Sequence, residues 1–248
     1  MQLFYPVLYG ILGLVSGSFL NVLIYRIPRG ESIIKPRSHC PHCNHKLRAW
    51  ELVPVLSFLL LGRKCRKCST KISWRYPVVE ILTALMFILI YLFRTTENIV
   101  GLFCNLVLVS ILIALSFIDI ETLRLPDSLV ILVAAMAILN ILGTKEPGFG
   151  KGLVGAIAAG GIFFLIHYFY PQGMGFGDVK LVAALGLYLG VLGIFLTIFM
   201  ASLLGILFGG VWLLVLKKSP RDPIPFGPFL AAGAVIVLLF FQPLTALF

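Results

Sequence analysis

The chain has 248 residues, 60% of them hydrophobic and only 12% charged, with a mean hydropathy of +1.04. Soluble domains average about 25% charged residues, so this composition excludes one and predicts a polytopic membrane protein. No series of alternating ten-residue segments occurs, which excludes a transmembrane β-barrel, and the formal net charge of +10 has a local source rather than a nucleic-acid-binding face.

In chain order, eight stretches are expected to span: 3–25, 77–93, 99–118, 127–143, 152–170, 179–193, 194–216 and 226–247. The fold class is therefore all-α, a polytopic helical membrane protein of about eight transmembrane helices with a small cytoplasmic zinc-binding loop module. The expected divisions are a first transmembrane helix (1–26), a four-cysteine module (27–76) and a transmembrane core (77–248). The first stretch lacks a basic leader and a small-residue cleavage site and ends at Arg26, so it reads as a retained span rather than a signal peptide. Residues 179–216 are too long for one span and have only Gly190 and Gly193 to turn on; seven spans are the alternative.

The loop 26–76 carries twelve Lys and Arg residues against Glu31 and Glu51. Placed in the cytoplasm, it is joined there by Arg124, Lys180, Lys217, Lys218 and Arg221, leaving only Arg94, Lys145 and Lys151 outside. That asymmetry follows the positive-inside rule. It places Asp119 and Asp178 on neighbouring loops at the cytoplasmic face, with the loop's charge facing anionic lipid.

Within this loop, Cys40-Pro-His-Cys43 and Cys65-Arg-Lys-Cys68 are two C-x-x-C pairs separated by 21 residues. Two knuckles of this spacing can aim four sulfurs at one tetrahedral Zn2+. Four thiolates leave no open position, so the site would be structural. Disulfides are the competing reading, disfavoured by a reducing cytoplasm. His39, His42 and His45 crowd the first pair, as loop residues or as replacement ligands. The apolar run 52–61 is too short to span and is expected in the membrane interface or on the metal module. Cys104 reads as a small buried hydrophobe, and His167 as a packed, hydrogen-bonded histidine.

Only ten residues of the chain are acidic, and two of these, Asp119 in FIDIETLRLPD and Asp178 in GMGFGDVKL, sit at the edges of apolar spans. Charges there are expensive and mark function. Two carboxylates are also the minimal equipment for driving water into a peptide bond. Asp119 ends one span and Asp178 opens another, so helix dipoles disfavour a charge on the first and favour it on the second. This predicts an ionised Asp178 and a proton on Asp119. The bland reading of Asp178 is a helix cap. Asp127, after Pro126, reads as a helix start; Glu121 is expected to tune Asp119 or pair with Arg124, and Lys180 to balance Asp178 or reach lipid head groups. Gly175 and Gly177 are expected to allow positive φ and admit an extended substrate backbone. Glu80 either contacts substrate or pairs with an arginine such as Arg75.

These motifs taken together resemble type IV prepilin peptidases. The resemblance rests on GSFLNVLIYRIP (17–28), CPHC (40–43), CRKC (65–68), ISWRYPVVE (72–80), FIDIETLRLPD (117–127) and GFGDVKL (175–181), and little signature follows Ser202. It implies an intramembrane aspartyl protease of the GxGD type with Asp119 and Asp178 catalytic, and Zn2+ on Cys40, Cys43, Cys65 and Cys68. It also implies cleavage of the basic leaders of prepilins and pseudopilins at the cytoplasmic face of the bacterial inner membrane. Many members also methylate the new N-terminus with S-adenosylmethionine; no residue pattern reveals that site. Leaders and loop are both basic, so Glu121, Asp127 and the acid pair are the better attractors. The rival function is a proton-coupled transporter using the same acids, but acids at span ends and the absence of an internal repeat disfavour it. Partners are the lipid bilayer and the prepilins, with no nucleic acid.

Overall fold

The computed structural model describes residues 4–94, 98–214 and 224–241, and the described chain is helical, with no β-strand. The expected positions of Lys217, Lys218, Arg221 and the end of the last span lie outside the described residues. The chain divides into two compact units, 1–92 and 93–248.

In the first unit, α1 (Phe4–Arg26) and most of α3 (Arg75–Arg94) are membrane-length helices. They approach so closely that a side chain at Gly13 would meet the Ala84 backbone at 2.5 Å, the small-residue packing expected where lipid supplies no hydrophobic drive. Asn21 of α1 donates to the carbonyl of Tyr76 at 3.1 Å. Between the helices the chain forms two small cysteine knuckles and a five-residue helix, α2 (Leu56–Leu60). Phe58 of α2 is buried against Trp74, whereas Leu56, Leu59 and Leu60 are exposed. The short apolar run is thus one-sided, the pattern of an interfacial segment.

The second unit packs α4 (Ile99–Thr122), α5 (Asp127–Thr144), α6 (Phe149–Phe169), α7 (Phe176–Leu214) and α8 (Gly227–Ile236), the last continued by a π-turn over Val237–Phe241. α4 is its core, with Cys104, Leu108, Val109, Leu112, Ala114, Leu115 and Ile118 at most 1% exposed. Tyr188 of α7 donates to Asn105 of α4 at 2.7 Å, and both are buried.

Six helices, not eight, are long and apolar enough by themselves to cross a membrane among the described residues. The difference has two causes. The expected spans 179–193 and 194–216 form the single helical run α7, and the last described helix, Gly227–Phe241, is short. Yet α7 is broken at Gly190, where φ is 73° and ψ −177°, a conformation open essentially to glycine alone. Its two arms run in opposite directions. Beyond Gly190, Gly193 lies by Val237, Thr197 and Ala201 by Gly233, and Gly205 and Phe208 by Phe229, reading down α8 in reverse. Gly227, at the start of α8, lies against Asp119, so the second arm returns toward the end of the bundle where the first began. Gly190 is therefore the turn that the length of 179–216 demanded.

Candidate active site and metal centre

Asp119 lies in the last turn of α4. Its carbonyl accepts the Leu123 N–H at 2.8 Å, and Leu123 closes the helix in the left-handed conformation, φ 53°. Three residues later Pro126 precedes α5, whose first residue is Asp127, so the helix-start reading of Asp127 matches the observed boundary. Asp178 is the third residue of α7, and its N–H donates to the Gly175 carbonyl at 3.1 Å. One end of the bundle thus presents a helix C-terminus and a helix N-terminus, each carrying an acid.

Asp119 is 5% exposed. Its Oδ2 accepts the backbone N–H of Gly227 at 2.9 Å. Asp178 is within electrostatic reach of Asp119 and faces the Gly175 amide. Its Oδ1 is buried with no hydrogen-bond partner among the described residues, so capping does not account for that oxygen. An unpaired buried oxygen is costly and marks where a shared proton or a reacting water is most needed.

Gly227 is a residue that sequence reasoning missed, having found little signature after Ser202. A side chain there would stand 2.7 Å from Asp119 Oδ2, so glycine is what lets an amide reach the carboxylate. The available signal was the PFGPF sequence at 225–229, a glycine followed by proline at a helix start. Gly177 answers a similar need: a Cβ there would meet Leu125 Cβ at 2.9 Å. The expected role of positive φ does not hold, since neither Gly175 nor Gly177 adopts it. Gly177 is already helical, so no extended glycine edge reaches that far; proximity, not backbone freedom, explains it.

Around the acids, Lys180 Nζ pairs with Asp127 Oδ1 at 2.7 Å and sits 4.9 Å above the Phe176 ring. His167 contacts the other side of this segment, with Nδ1 2.8 Å from the Met174 carbonyl and its ring 5.4 Å from Phe176. The Gly-rich loop is thereby held from α6 and, through Asp127, from α5. Glu121 is exposed. Glu80 belongs to the first unit, where its Oε2 accepts the Val55 N–H at 2.8 Å and fixes the approach to α2.

The cysteine knuckles also lie in the first unit. Cys40 N–H donates to the His45 carbonyl and Asn44 N–H to the Cys40 carbonyl; Cys65 with Thr70 and Ser69 repeats both bonds. Asn44 (φ 53°) and Ser69 (φ 58°) make the same left-handed turn. The sulfurs pair at 3.8 Å (Cys40–Cys68) and 3.9 Å (Cys43–Cys65), and all four lie within 4.8 Å of one another. A tetrahedral Zn2+ with bonds of about 2.3 Å requires sulfurs about 3.8 Å apart, so the donor set fits that ion; the distances are far too long for disulfides. The four thiols titrate together: the Thr70 hydroxyl holds Cys68 down, while Cys43 is pushed up among its neighbouring thiols. The histidines stay outside the cluster: His39 contacts the Arg37 carbonyl and His45 faces Glu51 at 3.5 Å.

A helical bundle with a buried and a half-buried acid interacting at helix ends is the architecture of a membrane peptidase of the aspartic class. Residues 11–93 match the bacterial peptidase A24 N-terminal domain, and residues 106–210 match the type IV leader peptidase family. Among similar proteins are three named prepilin leader peptidase/N-methyltransferase. That of Aeromonas salmonicida (strain A449) is 34% identical over 94% of this chain and 89% of its own. That of Bacillus subtilis (strain 168) is 35% identical over 93% and 92%, and that of Burkholderia pseudomallei (strain 1026b) 36% over 98% and 87%. No solved structure matches the chain. The chain belongs to the type IV leader peptidase family. It is an aspartic peptidase of a membrane, and neither the matched families nor the relatives named here include a carrier.

Proposed function

We propose that this chain cleaves the basic leaders of prepilins and pseudopilins, with Asp119 and Asp178 activating the attacking water. The observation that carries this reading is the end of the second unit. Two acids from different helices interact there, the buried Asp119 bound by the Gly227 amide and the half-buried Asp178 keeping a buried oxygen without a partner among the described residues. One carboxylate takes a proton from water while the other donates one to the scissile carbonyl oxygen. As the resulting gem-diol collapses and the C–N bond breaks, one carboxylate takes back a hydroxyl proton and the other passes its proton to the leaving amine, so the pair's proton count is unchanged after each turnover. Helix ends argue for the proton on Asp119, but the Gly227 amide gives Asp119 a donor that offsets its helix-end disadvantage. The two acids are best treated as one coupled unit.

Residues 27–76 form the zinc module and the acids belong to the core 77–248. In this reading both face the cytoplasm at the inner membrane, a placement that the charge asymmetry of the loops supports. Gly175 and Gly177 line the approach beside Asp178. Lys180 and Asp127 brace it, and Glu121 offers the basic leader a negative charge. Glu80 supports the module in the first unit. Zn2+ on Cys40, Cys43, Cys65 and Cys68 would hold the two knuckles together and supply no chemistry. Like its named relatives, the chain would also methylate the exposed N-terminus, using S-adenosylmethionine as donor.

The test is detergent-purified protein incubated with a synthetic prepilin and read by mass spectrometry. Wild type should release the leader, whereas Asp119→Asn and Asp178→Asn should not. Normal cleavage by either variant would end the proposal.

A further inference from the structure

In the first unit, α2 and its neighbours form a surface that neither the acid pair nor the thiol cluster uses. Val53, Leu56, Leu59 and Leu60 are exposed there, together with the Trp50 and Trp74 rings. The turn Ala49–Leu52 lies against α2 on one side, and Trp74 meets it through Phe58 on the other.

One hydrogen bond sets the depth of this surface. The 20 residues of α3, Arg75–Arg94, make a helix of about 30 Å, the thickness of a hydrocarbon core. Arg75 therefore stands at one boundary, and Glu80 lies five residues further in, about 7 to 8 Å along the axis. Glu80 Oε2 holds the Val55 N–H at 2.8 Å. Even with the glutamate leaning back toward the start of its helix, α2 begins at or below the level of Arg75. Val55 is held there at φ 61° and ψ −48°, a conformation that a β-branched residue adopts only when its surroundings impose it. The backbone that follows is prepared for a dry setting. The N–H groups of Leu56, Ser57, Leu59, Leu61, Gly62 and Arg63 all donate to carbonyls of residues 53–59, as insertion beside lipid demands.

The charges around the surface have one sign. Residues 52–79 contain Arg63, Lys64, Arg66, Lys67, Lys71 and Arg75, and no acid. The two bounding acids turn inward, Glu51 to the Arg48 N–H at 2.7 Å and Glu80 to that of Val55. Arg63 stands 5.1 Å from the centre of the Trp74 ring, and Arg66 5.4 Å from that of Trp50. A guanidinium stacked on an indole keeps its N–H edge for a phosphate, and indoles favour the membrane–water boundary. A polyanion in water would answer the cations but leave the leucines wet. A second copy of this chain would cover the leucines but add six more cations. An anionic bilayer answers both, and it already surrounds α1 and α3.

We infer that α2 is a docking surface for anionic phospholipid, with Leu56, Leu59 and Leu60 among the upper acyl chains and Arg63 and Arg66 on the phosphates. The bilayer is then the floor on which the cysteine knuckles stand. The inference does not depend on the cleavage reading.

The experiment places the purified, Zn2+-loaded full chain in nanodiscs of phosphatidylcholine and phosphatidylglycerol. Trp212→Phe leaves Trp50 and Trp74 as the only tryptophans. Lipid brominated high on its acyl chain should quench them about twofold more than lipid brominated near the chain end. Native mass spectra from mild detergent then report retained lipid. Arg63→Gln with Arg66→Gln should lower phosphatidylglycerol retention about tenfold. Arg37→Gln with Lys46→Gln removes the same charge elsewhere in the loop and should stay within about twofold of wild type. Tryptophans beyond the reach of either bromine would overturn the inference. Equal lipid loss in both charge variants would do the same, making the attraction general to the loop. A dimer in the spectra that Leu59→Gln with Leu60→Gln dissociates would give the surface to a second copy instead. Should a charge variant misfold, quenching in the chain with its docking surface unaltered decides.

Discussion

The thiol cluster and the acid pair are built in opposite ways. The four thiols come from two short loops, each held by the same pair of backbone hydrogen bonds and the same left-handed turn. Everything that shapes a knuckle lies within about seven residues of its cysteines. The acid pair comes from two helices 59 positions apart in sequence, with an amide from a third helix 108 residues beyond Asp119. Nothing local shapes it; the bundle does. A centre made of local loops should collapse locally when its cross-link is removed. A centre made of helix ends should lose function without losing its fold when one side chain is changed.

The largest effect separating the two is metal loss. Binding at structural Zn2+ sites is worth on the order of 10 kcal/mol. Purified protein should hold about one zinc per chain, and Cys40→Ser with Cys43→Ser should hold none. Limited proteolysis should then cut between residues 38 and 73 while the second unit resists. Acidification should release the metal too, because thiolates must be reprotonated. Equal protease sensitivity in both units would contradict the local construction of the knuckles.

The next effect is catalytic. Asp119→Asn and Asp178→Asn should each lower leader release by about 10³-fold. The double variant should fall no further than the worse single one, because the acids act as one unit. Melting temperatures should stay near wild type. Multiplicative losses would show that the acids act independently. Gly227→Ala should follow, at about 10- to 100-fold in kcat, since its new methyl would stand 2.7 Å from Asp119 Oδ2. His167→Ala should cost about tenfold or less in kcat/KM, carried mainly by KM, because His167 holds the Met174 carbonyl of the loop rather than either acid. A dominant kcat effect would instead place His167 among the reacting groups.

How much of this was legible in the sequence follows the same division. Cysteine spacing announces a tetrahedral site because the knuckle is local, and both acids announced themselves by the cost of charge at a span end. The helices were legible from apolar length, and Gly190 was named as a possible turn. The reversal within α7 was legible only from the length of 179–216, because a helical pair joined through one glycine leaves no polar loop in the sequence. Gly227 was missed for the reason that makes it necessary: its contribution is a backbone amide and an absent side chain, and neither has a signature until α8 is packed against α4. The glycines before Asp178 were noticed but misread, since φ is not positive there and the need is for space beside Leu125.

The smallest predicted effect tests how far the bundle end depends on its surface. Lys180 and Asp127 are paired at 2.7 Å, but their side chains are 37% and 63% exposed. A pair that wet contributes about 0.5 kcal/mol or less and is screened by salt. If it were merely a surface pair, Asp127→Asn would change neither stability nor cleavage measurably. Lys180, however, also covers the Phe176 ring, whose other contact is His167, and this ring adjoins the glycine that packs on Leu125. The pair therefore joins α5 to the first turn of α7 within two residues of Asp178. Asp127→Asn should lower kcat/KM about two- to threefold at low ionic strength while leaving the melting temperature unchanged. Added salt should reduce wild type toward the variant. A salt response equal in both proteins would remove the pair from any part in positioning Asp178, leaving His167 as the remaining tie on the loop.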